Sequence, residues 1–164
     1  MTDGQNDGRK TSIVATATIA APQDVVWRVV SDATRNPEWV EVALRVLQAE
    51  TPPRLGATYE ELSRIAGPWK AATHWRITEF DAPQRQVQEG TGVPTAKNMR
   101  LIMELSPEGQ RTHFILTLQY TPRFGIFGAV LDSVVKRSAT RSQQRSADAL
   151  AALIAKEYAD SRAP

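Results

Sequence analysis

The sequence predicts an α+β domain in which an antiparallel sheet of about seven strands is covered on one face by a single long C-terminal helix. Three observations lead there. Residues 40–121 break into strand-like segments separated by short connections rich in Pro, Gly and Asp. Several of those segments put apolar side chains on one side only. Residues 123–158 then carry apolar side chains at helical spacing near both ends.

Residues 1–10 are polar and rich in Gly, Asp and Asn, the composition of a disordered tail. Order is expected from residue 11 to residue 158 as one domain, followed by a short tail over 159–164. The first strand begins near Ser12, where Ile13, Ala15, Ala17 and Ile19 alternate with Val14, Thr16 and Thr18. Ala21-Pro22-Gln23-Asp24 starts a helix, because proline suits a first turn and Asp24 complements the helix dipole. Val25, Val26, Trp27, Val29 and Val30 form its apolar side, and it ends near Asp32. A second short helical turn spans Thr34–Trp39, with Trp39 turned into the core.

Six strands follow, over 40–49, 57–66, 69–80, 85–91, 97–105 and 110–121. The connections between them are short, so successive strands form hairpins and the sheet is antiparallel. Trp69, Ala71, Thr73, Trp75 and Ile77 share one side of their strand; Met99, Leu101, Met103 and Leu105 share a side of theirs. In the last strand Phe114, Leu116, Leu118 and Tyr120 oppose His113, Thr117 and Gln119. Such strands belong to a sheet with one covered and one solvated face. Alternation does not orient two strands: Tyr59, Glu61 and Ser63 oppose Thr58, Glu60 and Leu62, and the strand from Arg85 is polar on both sides.

In the long helix, Ile126, Phe127, Val130, Leu131, Val134 and Val135 form an apolar start, and Leu150, Leu153 and Ile154 repeat it near the end. Between them the same face carries Ser138, Ser142 and Ser146. Two readings explain the gap. Small residues permit close helix–sheet approach, with hydroxyls bonded back to helix carbonyls; alternatively they leave room for a ligand and orient it. Arg137, Arg141 and Arg145 form a basic ridge beside the serines, either a solvated flank or a contact for an anion.

Composition narrows the function. The chain has 164 residues and no cysteine, which excludes disulfides, thiolate nucleophiles and Cys-based zinc sites. Twenty Lys+Arg against 18 Asp+Glu leave a net charge of +2, too small to argue for nucleic acid. No apolar run reaches the ~20 residues of a membrane span. The first residues have neither the charged start nor the apolar middle of a signal peptide, so a cytoplasmic protein is expected.

The order of strand, two short helices, six strands and long helix resembles the helix-grip fold of the START-like superfamily, in its polyketide cyclase/dehydrase and lipid-transport-like branch. The residues that carry it are Ile19-Ala20-Ala21-Pro22, Val26-Trp27 and Asp32, then Pro37-Glu38-Trp39, Leu55-Gly56 and Tyr120-Thr121-Pro122-Arg123. The resemblance implies a strongly curved sheet wrapped around the C-terminal helix, with a cavity for a lipid, sterol, polyketide or other hydrophobic small molecule. It implies no cofactor.

With that fold, inward positions make Trp39, Trp75, Met99, Met103, Leu116, Tyr120, Phe127, Leu131 and Val134 candidate cavity walls, with Ser138 and Ser142 as polar contacts. Leu150 and Leu153 would seal the far end. Glu61 is a candidate buried carboxylate, or the salt-bridge partner of an arginine such as Arg64 or Arg76. Resemblance to aromatase/cyclases implies, by position, Tyr59, Glu61 and Arg145 as groups to stabilise an enolate and move protons. His74 and His113 fall on solvated faces, and two histidines without cysteine form no metal site. A homodimer through the exposed sheet face or the arginine ridge is a further expectation.

Overall fold

The computed structural model describes residues 10–123 and 128–163, with the backbone alone for 128–132. Strand β1 (Thr11–Ile19) leads into helix α1 (Gln23–Val30), a 3-10 turn (Ala33–Arg35) and helix α2 (Asn36–Trp39). Six strands follow: β2 (Ala43–Ala49), β3 (Thr58–Ala66), β4 (Trp69–Asp81), β5 (Arg85–Thr91), β6 (Ala96–Glu108) and β7 (Arg111–Pro122). Helix α3 (Gly128–Asp160) closes the chain. The seven strands form one antiparallel sheet in the order β1-β7-β6-β5-β4-β3-β2. This is the helix-grip fold: β2 to β7 are consecutive hairpins, and the α1–α2 crossover carries the chain from one sheet edge to the other.

Local chemistry explains the boundaries. Pro22 occupies the N-cap of α1, and Asp24 in its first turn pairs with Arg28 at 2.6 Å. Asp32 caps the 3-10 turn by accepting from the Thr34 amide at 3.0 Å, and Pro37 lies in the first turn of α2. Gly67 and Gly109 supply left-handed turns between β3 and β4 and between β6 and β7, at φ 52° and 64°. Register shifts in β2, β3, β4 and β6 insert extra residues that bend their strands, which is how a hairpin sheet acquires strong curvature.

The main core lies where α1 and the C-terminal half of α3 meet β1, β7 and β6. Ala15 and Ile19, Phe114 and Leu116, and Met103 and Leu105 pack there against Val26, Val29, Val30, Ala147, Leu150 and Ile154. Burying Leu150 and Ile154 fully stabilises the helix position by about 1.5–3 kcal/mol each. Val134 and Val135, near the end of the second turn of α3, are exposed, so the helix is held from its far half. Arg35 reinforces that hold by bridging Glu38 on α2 and Glu157 on α3, at 2.6 and 2.5 Å.

The structure departs from expectation in several places. The second strand starts at Ala43 rather than Val40, because the chain first leaves α2 through Val40, Glu41 and Val42. Trp69 shares the face of Trp75 but lies at the hairpin tip and is 77% exposed. The outer sheet face is not wholly solvated. Val87 and Ile102 pair across β5 and β6 on that face and are buried beneath ion pairs of Arg85 with Glu79 and Glu104, and of Arg100 with Glu79. Ile126 and Phe127, and the side chains of Val130 and Leu131, lie outside the described residues.

Candidate ligand site on the concave face

The register of the central strands brings one set of polar side chains onto the concave face. Tyr59 pairs with Trp75 and Trp75 with Gly90; Glu61 pairs with Thr73; Gln88 pairs with Leu101 and Gln86 with Met103. Tyr59, Glu61 and Ser63 of β3, Thr73 and Trp75 of β4, and Gln86 and Gln88 of β5 therefore point the same way, and all are buried. The two strands whose alternation was ambiguous turn their polar rows inward. Leu101, Met103, Phe114 and Leu116 continue the same face as an apolar wall.

Hydrogen bonds tie the polar wall together. Asn36, buried at the start of α2, donates to one Glu61 oxygen at 3.1 Å, and the Ser63 hydroxyl donates to the other at 3.1 Å. The Ser63 and Thr73 hydroxyls are 3.0 Å apart, and the Trp75 indole donates to Thr73 Oγ1 at 3.1 Å. The Tyr59 hydroxyl donates to Gln88 Oε1 at 2.5 Å. Tyr59 and Trp75 stack, with centroids 6.3 Å apart and planes 13° from parallel.

Gly90 makes this packing possible. A Cβ on Gly90 would lie 2.6 Å from Cζ3 of Trp75, so the indole rests directly on the β5 backbone. Gly92 has a similar constraint: at φ +96° its Cβ would meet the Ala72 carbonyl oxygen at 2.4 Å.

The electrostatics follow from burial. Burial raises the Glu61 pKa; the bonds from Asn36 and Ser63 oppose this without cancelling it. Of the two alternatives for Glu61, the geometry matches the buried carboxylate: it is bonded to Asn36 and Ser63, and among the described residues no arginine forms a salt bridge with it. Burial, and then the charge of nearby Glu61, push the Tyr59 phenol well above its ordinary value, against a smaller opposing contribution from Asn36. Two further buried polar atoms, Trp39 Nε1 and Gln86 Oε1, have no hydrogen-bond partner among the described residues. An unmet buried group of this kind costs about 1–3 kcal/mol, and a ligand group that satisfies it recovers part of that cost.

The remaining candidates are scattered. Trp39 meets Phe114 edge-on at 6.2 Å in the core, where Met103 and Leu116 are also buried. Met99 is half-buried beside Gly90, and Tyr120 is buried opposite Thr11. Ser138 and Val134 are exposed and Ser142 is half-buried. Ser146 is buried and structural: its hydroxyl donates to the Ser142 carbonyl and accepts from the Glu41 amide, each at 3.0 Å. Arg145 is exposed and pairs with Glu41 at 2.6 Å. Partial burial works against the Glu41 charge, but Arg145 and the Ser142 hydroxyl outweigh it and lower its pKa. His74 faces Glu60 at 3.7 Å along an open outer groove that Arg76 and Glu89 also line. No metal-binding cluster of His, Cys, Asp or Glu occurs among the described residues.

Sequence reasoning missed Asn36, Ser63, Thr73, Gln86, Gln88 and Gly90. The available signal was the period-two polar rows 59-61-63 and 86-88, set in strands flanked by strongly apolar ones.

Known proteins agree with this architecture. No curated protein sequence matches the chain significantly. Among solved structures, the ZhuI aromatase/cyclase of Streptomyces sp. R1128 superposes with a TM-score of 0.74 at 17% identity, covering 89% of this chain and 94% of that one. A START superfamily protein of Mycobacterium smegmatis gives 0.71 at 16% identity, over 88% and 97% of the two chains. A norcoclaurine synthase point mutant of Thalictrum flavum, in complex with a transition-state analogue, gives 0.68 at 13%, over 94% and 99%. These likenesses establish the fold. The sequence model for polyketide cyclase/dehydrase and lipid transport proteins matches residues 10–155, and the chain therefore belongs to that family.

Proposed function

We propose that the protein binds a hydrophobic small molecule of lipid, sterol or polyketide type between the concave sheet face and α3. The observation that supports this reading is the composition of that face. An apolar wall on β6 and β7 adjoins a buried polar wall on β3 to β5, which suits a mostly apolar ligand bearing oxygen functions. Gln86 Oε1, an acceptor without a partner among the described residues, would take a ligand hydroxyl. The structural relatives fit the same reading, since one is an aromatase/cyclase and another a START superfamily protein.

Mass spectrometry of the freshly purified native protein, with displacement of a polarity-sensitive dye, tests binding. A bound species lost on solvent extraction, and dye binding abolished in a folded Leu101→Trp variant that fills the concave face, are expected. The absence of both a bound species and dye binding in the wild type would refute the reading.

One observation favours a second reading, an enzyme of cyclase/aromatase type. Glu61 is a buried carboxyl whose pKa burial raises, within a hydrogen-bonded wall. Such a group can protonate a departing β-hydroxyl, which leaves as water; the carboxylate then takes the α-proton of the same ketone and is restored. Turnover of a β-hydroxy ketone that Glu61→Gln abolishes without loss of binding would establish this activity, and its absence would leave a carrier.

A further inference from the structure

We propose that the end of the molecule at which the β3–β4 hairpin projects docks peripherally on an anionic lipid surface. Topology brings three segments to that end: the β3–β4 turn, the β5–β6 connection and the first turns of α3. Gln144 on α3 donates to the Thr16 carbonyl at 2.9 Å and so fixes the helix against the middle of β1. Ten residues earlier on the helix is roughly 15 Å, and five residues earlier on β1 roughly 16 Å, so Val134 lies level with Thr11 and its partner Tyr120. Trp75 and Gly90 pair on the neighbouring strands, and Gly90 pairs in turn with Met99 of β6. Trp69, six residues beyond Trp75 along β4, projects roughly 20 Å past it.

The chemistry of this projecting end is one-sided. Trp69 is 77% exposed, the most exposed of the large apolar side chains described, at a tip turned by Gly67 and Pro68. An exposed indole is costly in water and suited to the headgroup level of a bilayer. Arg64 and Lys70 are direct cross-strand partners on β3 and β4. Like charges in that arrangement destabilise a hairpin; among the described residues neither forms a salt bridge within 4 Å, and Arg64 is offset in part only by the more distant charge of Glu41.

The basic character extends along the same end through Lys97, Arg123, Lys136 and Arg137, all exposed. Residues 62–73, 92–98, 121–123 and 133–139 include no Asp or Glu; Asp132 is the single acid in the sequence between the last two of those stretches. Elsewhere on the molecule, arginines such as Arg28, Arg35, Arg54, Arg85 and Arg100 sit in ion pairs. A projecting aromatic flanked by exposed cations matches an anionic bilayer: the indole enters the interface and the cations meet the headgroups. Docking would set the concave face at the membrane, where a hydrophobic ligand is exchanged. The surface stands on its own observations, whatever the ligand.

Co-sedimentation of the full chain with vesicles tests the proposal, using phosphatidylcholine alone and phosphatidylcholine with phosphatidylserine. Binding to the anionic vesicles only, weakening as salt rises, is expected. Lys70→Gln should lower partitioning about five-fold, and Trp69→Ser on the order of ten-fold; Trp69→Phe should retain most of it. Each site is solvent-exposed, so circular dichroism should be unchanged. The proposal is overturned if wild type does not sediment with anionic vesicles, if neutral vesicles bind equally well, or if Lys70→Gln and Trp69→Ser match wild type. Retention of an acidic oligonucleotide or protein without vesicle binding would likewise overturn it.

Discussion

Replacing Gly90 with alanine adds a single methyl group, and the structure states what it meets. The new Cβ would lie 2.6, 2.7 and 2.8 Å from three atoms of the Trp75 ring. Ordinary carbon–carbon contact begins near 3.5 Å, so the ring has to retreat by about 1 Å. It is poorly placed to do so. Its indole nitrogen is bonded to Thr73, its face is stacked on Tyr59, and it is buried. Overpacking of this kind costs about 1–3 kcal/mol. For a chain of this size that lowers the melting temperature by about 3–8 °C. Urea unfolding gives the free-energy difference, and near-ultraviolet circular dichroism reports the indole environment. Because Trp75 is part of the polar wall, dye binding should weaken in the same variant. A Gly90→Ala protein within about 0.5 kcal/mol of wild type, with the same aromatic spectrum, would show that Trp75 does not rest on β5 as described.

Two further expectations concern buried polar groups. The folded state holds a proton on Glu61 that the unfolded chain releases near its ordinary pKa of 4.5, so stability should fall as pH rises from that value through the raised folded pKa. The slope reaches at most about 1.4 kcal/mol per pH unit; Glu61→Gln should remove it, and urea titrations of both proteins from acid to neutral pH that decline in parallel would refute the assignment. Ser146→Ala removes the acceptor of the Glu41 amide and should cost about 1–2 kcal/mol, with faster hydrogen exchange at Glu41; an unchanged exchange rate would mean that another group holds that amide.

The fold was legible because its signals are local. Pro22, Gly67 and the Pro and Gly residues between strands punctuate the chain, while β1, β6 and β7 separate apolar from polar residues at period two. Such patterns report which face is buried without reference to any neighbour. The candidate site was much less legible. Tyr59, Glu61 and Trp75 were identified and lie together, but the partners that give Glu61 its character come from α2 and β4, distant in sequence. Asn36 has no local feature that marks it as a carboxyl donor, and Gly90 becomes meaningful only once Trp75 lies across it.

The elements, their order, the antiparallel sheet and the helix that covers it are therefore written locally, because hydrophobic period and turn chemistry act over a few residues. Only the tertiary structure decided which of Glu60 and Glu61 is buried, since a strand polar on both sides takes its facing from the register of its neighbours. It decided the serine stripe in the same way. Ser146 is buried because the Glu41 amide reaches it, Ser142 is half-buried, and Ser138 is exposed. One helical pattern thus has three different environments, set by what stands opposite each residue.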